Sequence, residues 1–147
     1  MSINYEDTGK YSLGYHLHLA FSALTDTLNQ ELKKAGLNLT HPQFSILQAV
    51  FRSPGLSQSK LAEETAKDGG AITRSLNYLE KQELIERKWI NGCTKGVFPT
   101  GKAERLKPAL DNAIRNTIDQ ACACFGMEAI ASLNEKLIDI KNTLSRR

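Results

Sequence analysis

LAEETAKDGGAITRSLNYLEKQELIER, residues Leu61 to Arg87, is the stretch that decides the fold. It reads as two short helices joined by a tight turn, followed by the first strand of a hairpin. Leu61 and Ala62 give the first helix a small apolar face. Asp68-Gly69-Gly70 interrupts it, and Asp68 suits the N-cap of the second helix because its carboxylate can accept from orphan backbone N–H groups. In that second helix Ile72, Leu76 and Leu79 recur at helical spacing and must face inward. Gly70, Ala71, Thr73, Arg74, Asn77 and Lys81 are left facing outward. A helix that exposes Thr, Arg and Asn near its N-terminus, propped on a shorter helix, has the geometry that enters a DNA major groove.

Upstream of this stretch, Leu13, Leu17, Ala20, Phe21, Leu24, Leu28, Leu32 and Ala35 step by three and four, which predicts a long amphipathic helix capped by Gly36. Thr40 and Gln43 form a capping box, with Pro42 tolerated in the first turn of a second helix whose core face is Phe44, Leu47, Val50 and Phe51. Ser53-Pro54-Gly55 is a turn, and Ser57 caps the next helix. Downstream, Asn91-Gly92 predicts a type I′ hairpin turn between strands Ile85 to Ile90 and Cys93 to Phe98. Thr100 can cap a long helix running to about Phe125, with Pro108 expected to kink it. After Gly126, Met127 to Leu144 forms a last helix with Ile130, Leu133, Leu137, Ile140 and Leu144 on its inward face.

At 147 residues and 41% apolar content the chain is expected to fold as one domain. Its net charge is +3. Residues Leu56 to Lys107 hold 10 Lys/Arg against 7 Asp/Glu, and the remainder holds 9 of each. All the excess positive charge therefore lies on the segment suspected of touching DNA, as a phosphate-binding surface requires. No apolar run approaches a membrane span and the N-terminus has no signal-peptide character, so a cytoplasmic protein is expected. Three cysteines without framework spacing fit a reducing compartment.

The run LSQSKLAEE…ITRSLNYLEKQELIER, a basic hairpin and Thr100 together resemble the MarR family of transcriptional regulators. Leucine-[Ser/Thr]-Gln-x-x-leucine-Ala and aliphatic-Thr-Arg-x-leucine-x-x-leucine-Glu lie without a gap on Leu56 to Glu80. LTHPQFSIL, Leu39 to Leu47, also resembles the start of the family's second helix. The resemblance implies a mainly α fold with a small β-hairpin wing: a winged helix-turn-helix module over about 39–99, with dimerisation helices over about 11–36 and 101–145. It implies a homodimer whose N- and C-terminal helices interleave across a two-fold axis. The apolar stripes of those helices, too long for the module to cover, ask for the same arrangement. Two departures stand out. The family's wing carries an Asp and two arginines where this chain has Asn91, Gly92 and Cys93, with a tip about two residues shorter. Its recognition helix usually opens on Pro and Ser or Thr, where this chain has Gly69 and Gly70.

The predicted partners are double-stranded DNA, a second copy of the chain and a small aromatic or phenolic effector. Arg74 is the leading DNA-contacting residue, with Gly70, Ala71, Thr73 and Asn77 beside it. Ser57, Gln58 and Ser59 open the preceding helix, where amides suit a phosphate. Arg87, Lys88 and Lys95 are what the wing offers. Tyr11, Tyr15 and Phe44 are candidates to line an effector cavity, with core packing the favoured alternative. His16, His18 and His41 lack metal-ligand spacing, and no metal or cofactor is expected. Cys122 and Cys124 read as small core hydrophobes, with Cys93 the more exposed thiol. No catalytic constellation appears, so the chain is not read as an enzyme. The rival reading is a winged-helix module that binds a protein partner and has little DNA affinity.

Overall fold

The computed structural model describes residues 2–65 and 68–146, in which six α-helices and one antiparallel hairpin follow a short 3-10 turn at Lys10–Ser12. Helix α1 (Leu13–Lys34) ends where the sequence places its cap. Gly36 adopts φ +77°, its N–H donates to Lys33 O, and Leu37 N–H reaches back to Leu32 O. This is the paired-bond ending that favours glycine in the left-handed region. Helix α2 (His41–Arg52) opens on the predicted capping box, with Thr40 N–H donating to Gln43 Oε1 at 3.0 Å. Ser57 Oγ accepts from Lys60 N–H at the start of α3 (Gln58–Thr65). The tight join between α3 and the next helix falls partly on residues 66–67, outside those described. Helix α4 (Gly69–Lys81) begins directly after Asp68, so Gly69 and Gly70 form its first turn rather than a separate turn before it.

Strands β1 (Ile85–Trp89) and β2 (Lys95–Pro99) pair in the register Ile85↔Pro99 to Trp89↔Lys95. The predicted type I′ turn is absent. Neither Asn91 nor Gly92 has a positive φ. Instead the Asn91 carboxamide oxygen accepts from the N–H groups of Cys93 and Thr94, both at 2.9 Å, and Ile90 N–H donates to Thr94 O. The asparagine side chain satisfies the backbone itself and closes a wider loop. A further feature is that Leu56 pairs with Val97, adding a short third edge beside β2. There the backbones approach so closely that a Cβ on Gly96 would stand 2.6 Å from Gly55 O.

Helix α5 (Gly101–Ala121) starts on Thr100, whose Oγ1 accepts from Ala103 N–H and donates to Glu83 O. It runs through Pro108 and ends at Ala121, short of the expected Phe125, because Cys122 begins a turn into α6 (Met127–Leu144).

One apolar core joins all of these elements except α6. Phe44, Ile46, Leu47 and Val50 of α2 meet Leu61 of α3 and Ile72, Leu76 and Leu79 of α4, with Leu84, Ile85 and Val97 from the hairpin. Leu28 and Leu32 of α1 and Ala103, Leu110 and Ala113 of α5 belong to the same cluster. The module between Leu39 and Pro99 therefore does not have a core of its own. Each fully buried leucine contributes about 1.5–3 kcal/mol, so the inner ends of α1 and α5 anchor firmly. Their outer ends do not: Leu13, Phe21 and Ile118 are exposed, and α6 buries no residue at all. Of the stripe predicted to face inward on α6, Ile130 and Ile140 are only half-buried and Leu133, Leu137 and Leu144 are exposed. Among the described residues no helix is long and apolar enough to cross a membrane.

Candidate nucleic-acid interface

The outward surface of α4 is built from its first turn. Asp68 Oδ1 accepts from Ala71 N–H at 2.8 Å and fixes where the helix begins. Thr73 Oγ1 donates to Gly69 O at 2.8 Å and accepts from Gln58 Nε2 at 2.7 Å. Two residues proposed from sequence as separate contacts thus meet each other, and their bond sets α3 against α4. Ser57 is occupied as the α3 cap, while Ser59 is exposed beside it.

Arg74 is exposed and makes no hydrogen bond or ion pair among the described residues. Its guanidinium leans back over the first turn of α4, as helical side chains do. A Cβ on Gly70 would lie 3.4 Å from Arg74 Nη1 and 3.3 Å from Asp68 Oδ1, so the glycine leaves the guanidinium room at the helix tip. Gly70 itself is exposed, and Ala71 beside it is half-buried.

Asn77 and Arg87 also meet. Arg87 Nη2 donates to Asn77 Oδ1 at 2.8 Å, and Arg87 Nε lies 3.2 Å from Glu80 Oε2 without hydrogen-bond alignment. The Arg87 side chain is only 22% exposed. It acts as a strut between the wing and α4, leaving the pair little freedom to turn toward a base. Glu80 had no signature in the sequence, because nothing in the spacing of a helix and a hairpin foretells which carboxylate an arginine will find. Lys88 pairs with Glu86 at 3.0 Å and stands over the Phe98 ring, while Lys95 stands over the Trp89 ring.

The three aromatic residues proposed for an effector cavity do not come together. Phe44 lines a cavity of about 200 Å³ between α1, α2 and α5, with Phe21, Leu24, Leu28, His41, Gln48, Ile114, Thr117 and Ile118. Tyr11 lines a separate hollow near the N-terminus with Ile3, Asp7 and Ser12, and Tyr15 packs against Tyr5 and His16. The reason is distance along α1. Tyr11 sits in the 3-10 turn before it and Tyr15 at its outer end, whereas the cavity opens beside Phe21, Leu24 and Leu28. No group of three or more His, Cys, Asp or Glu that could hold a metal occurs among the described residues.

Residues 35–88 match the model of the MarR family. The chain is 29% identical over 126 residues to the HTH-type transcriptional regulator YybA of Bacillus subtilis, covering 84% of this chain and 83% of that protein. It is 33% identical over 87 residues to the HTH-type transcriptional regulator MgrA of Staphylococcus aureus, a match spanning 58% of each. Among solved structures, a putative MarR-family regulator of Listeria monocytogenes complexed with a 26mer DNA superposes with a TM-score of 0.82 at 28% identity. That superposition covers 90% of this chain and 88% of the other.

Proposed function

We propose that the chain is a transcriptional regulator of the MarR family, whose model its residues 35–88 match, and that it binds a pseudo-palindromic operator as a homodimer and represses from it. Two copies of α4, related by a two-fold axis, would read half-sites about 34 Å apart. The observation that carries this reading is Arg74: a guanidinium on the open face of α4, one turn from its N-terminus and without a partner among the described residues, with its neighbours fixed by bonds to one another. The DNA bound to the Listeria relative supports it. Release would follow from a small aromatic or phenolic effector that enters the cavity under Phe44 and turns the winged modules out of register.

The test is to recover the DNA fragments that the purified protein retains from its own genome, then to measure Arg74→Ala on them. Loss of a bidentate base contact costs about 1–3 kcal/mol, so affinity should fall at least severalfold while the fold and oligomeric state persist. Binding should also weaken steeply with added salt. Unchanged operator affinity in a folded Arg74→Ala protein would overturn this assignment.

A further inference from the structure

Beside Lys95 the wing carries an aromatic side chain outside the sequence-predicted site. Side chains alternate along β1, placing Ile85, Arg87 and Trp89 on one face and Glu86 and Lys88 on the other. Arg87 is tied to Asn77 and Glu80 of α4. Trp89, two residues nearer the tip on the same face, therefore stands on the α4 side of the hairpin. It is 64% exposed, it is the single tryptophan of the chain, and its indole N–H has no hydrogen-bond partner among the described residues. Lys95 lies directly opposite it in the strand register, with Nζ 4.9 Å from a ring centroid. Beyond them the loop Ile90 to Thr94 holds no charged side chain.

Tryptophan is a highly buried residue on average, and it is enriched at interfaces that are apolar at one end and wet at the other. The occupant follows from position and charge. This face continues the outward surface of α4 through the Arg87 strut, and its companion is a cation. We propose that Trp89 and Lys95 form the wing's DNA contact, a reading that rests on DNA binding by α4. The indole lies along the deoxyribose wall of the minor groove beside the half-site, and Lys95, held over its face, meets the adjacent phosphate. The cation–π contact restrains a side chain that would otherwise lose its freedom on binding. Such a contact addresses sugar and phosphate, so it positions the protein and reads little sequence. It also supplies what the uncharged loop at the wing tip lacks.

Because Trp89 is the only tryptophan, its emission reports this contact directly. The probe is a fluorescein-labelled duplex of mixed sequence at low salt, with anisotropy recording binding. On saturation, acrylamide quenching of the indole should fall and its emission should shift to the blue. Trp89→Ala should weaken binding about two- to fivefold. Lys95→Gln should lower the salt slope by about one unit in the parent protein and by less when Trp89 is already alanine. A duplex that binds while indole emission and quenching stay unchanged would overturn the wing contact and leave DNA binding by α4 standing. A duplex that does not bind would overturn both. Shielding of the indole that grows with protein concentration and needs no DNA would place Trp89 at a protein interface and overturn the proposal as well.

Discussion

Two helix endings in this chain use the same geometry with different residues. After α4, Glu83 N–H donates to Glu80 O and Leu84 N–H to Leu79 O, the same paired bonds that Gly36 and Leu37 make after α1. Glu83 therefore sits at φ +59°, where a side chain costs about 1–2 kcal/mol. Glycine there would remove that cost but add about 0.4–1 kcal/mol of unfolded-state entropy. Glu83→Gly should accordingly stabilise the protein by up to about 1 kcal/mol, read as a higher urea midpoint with an unchanged slope. Gly96→Ala should do the opposite, since its methyl group would meet the Gly55 carbonyl. Gly36 was legible because glycine after an apolar stripe announces a helix end. Glu83 was not, since nothing about a glutamate signals a left-handed backbone. The outward position of Arg74 was legible, but its lack of partners among the described residues emerges only in the structure, where Gln58 meets Thr73 and Arg87 meets Asn77.

At the scale of elements, helical periodicity located the helices well, and the Asn91-Gly92 signal located the hairpin but misjudged its turn. That signal reports what a two-residue turn would need, whereas the asparagine side chain had the option of capping a wider loop. Periodicity also could not reveal which polar residues clamp α1 to α5. Glu31 accepts from Asn116 Nδ2 and Gln120 Nε2, each at 3.3 Å, and pairs with Lys34. The Asn116 hydrogen bond foremost, then that from Lys34, holds its carboxyl below the ordinary value of 4.5. A carboxyl depressed in the folded state adds stability that is complete above its unfolded pKa and is lost as pH falls through the folded one. Glu31→Gln should therefore flatten the acid limb of the stability curve, so that parent and variant differ at neutral pH and converge below 4.5. Parallel curves at all pH values would show that Glu31 does not titrate with folding.

At the scale of the whole molecule, the sequence showed that stripes on the outer helices exceeded what one chain could cover, but not which of them would be left open. The inner halves of α1 and α5 enter the core, and α6 is the element left over. Met127 is 81% exposed, Leu133 52% and Leu144 62%. A second copy is the cover that symmetry supplies most simply. Sedimentation at micromolar concentration should show a dimer, and truncation after Gly126 should abolish it, leaving monomer or aggregate. A soluble, folded monomer from the intact chain, or a dimer from the truncated one, would sink that arrangement. Most helical stability comes from packing of an amphipathic face, so in such a dimer α6 would draw its order from mass action rather than from its own chain. Dilution of such a dimer would melt this end first, exposing apolar residues to proteases, and the lifetime of each molecule would depend on how many others the cell holds. A regulator made this way would be cleared fastest when it is scarcest, which would sharpen the boundary between its presence and its absence.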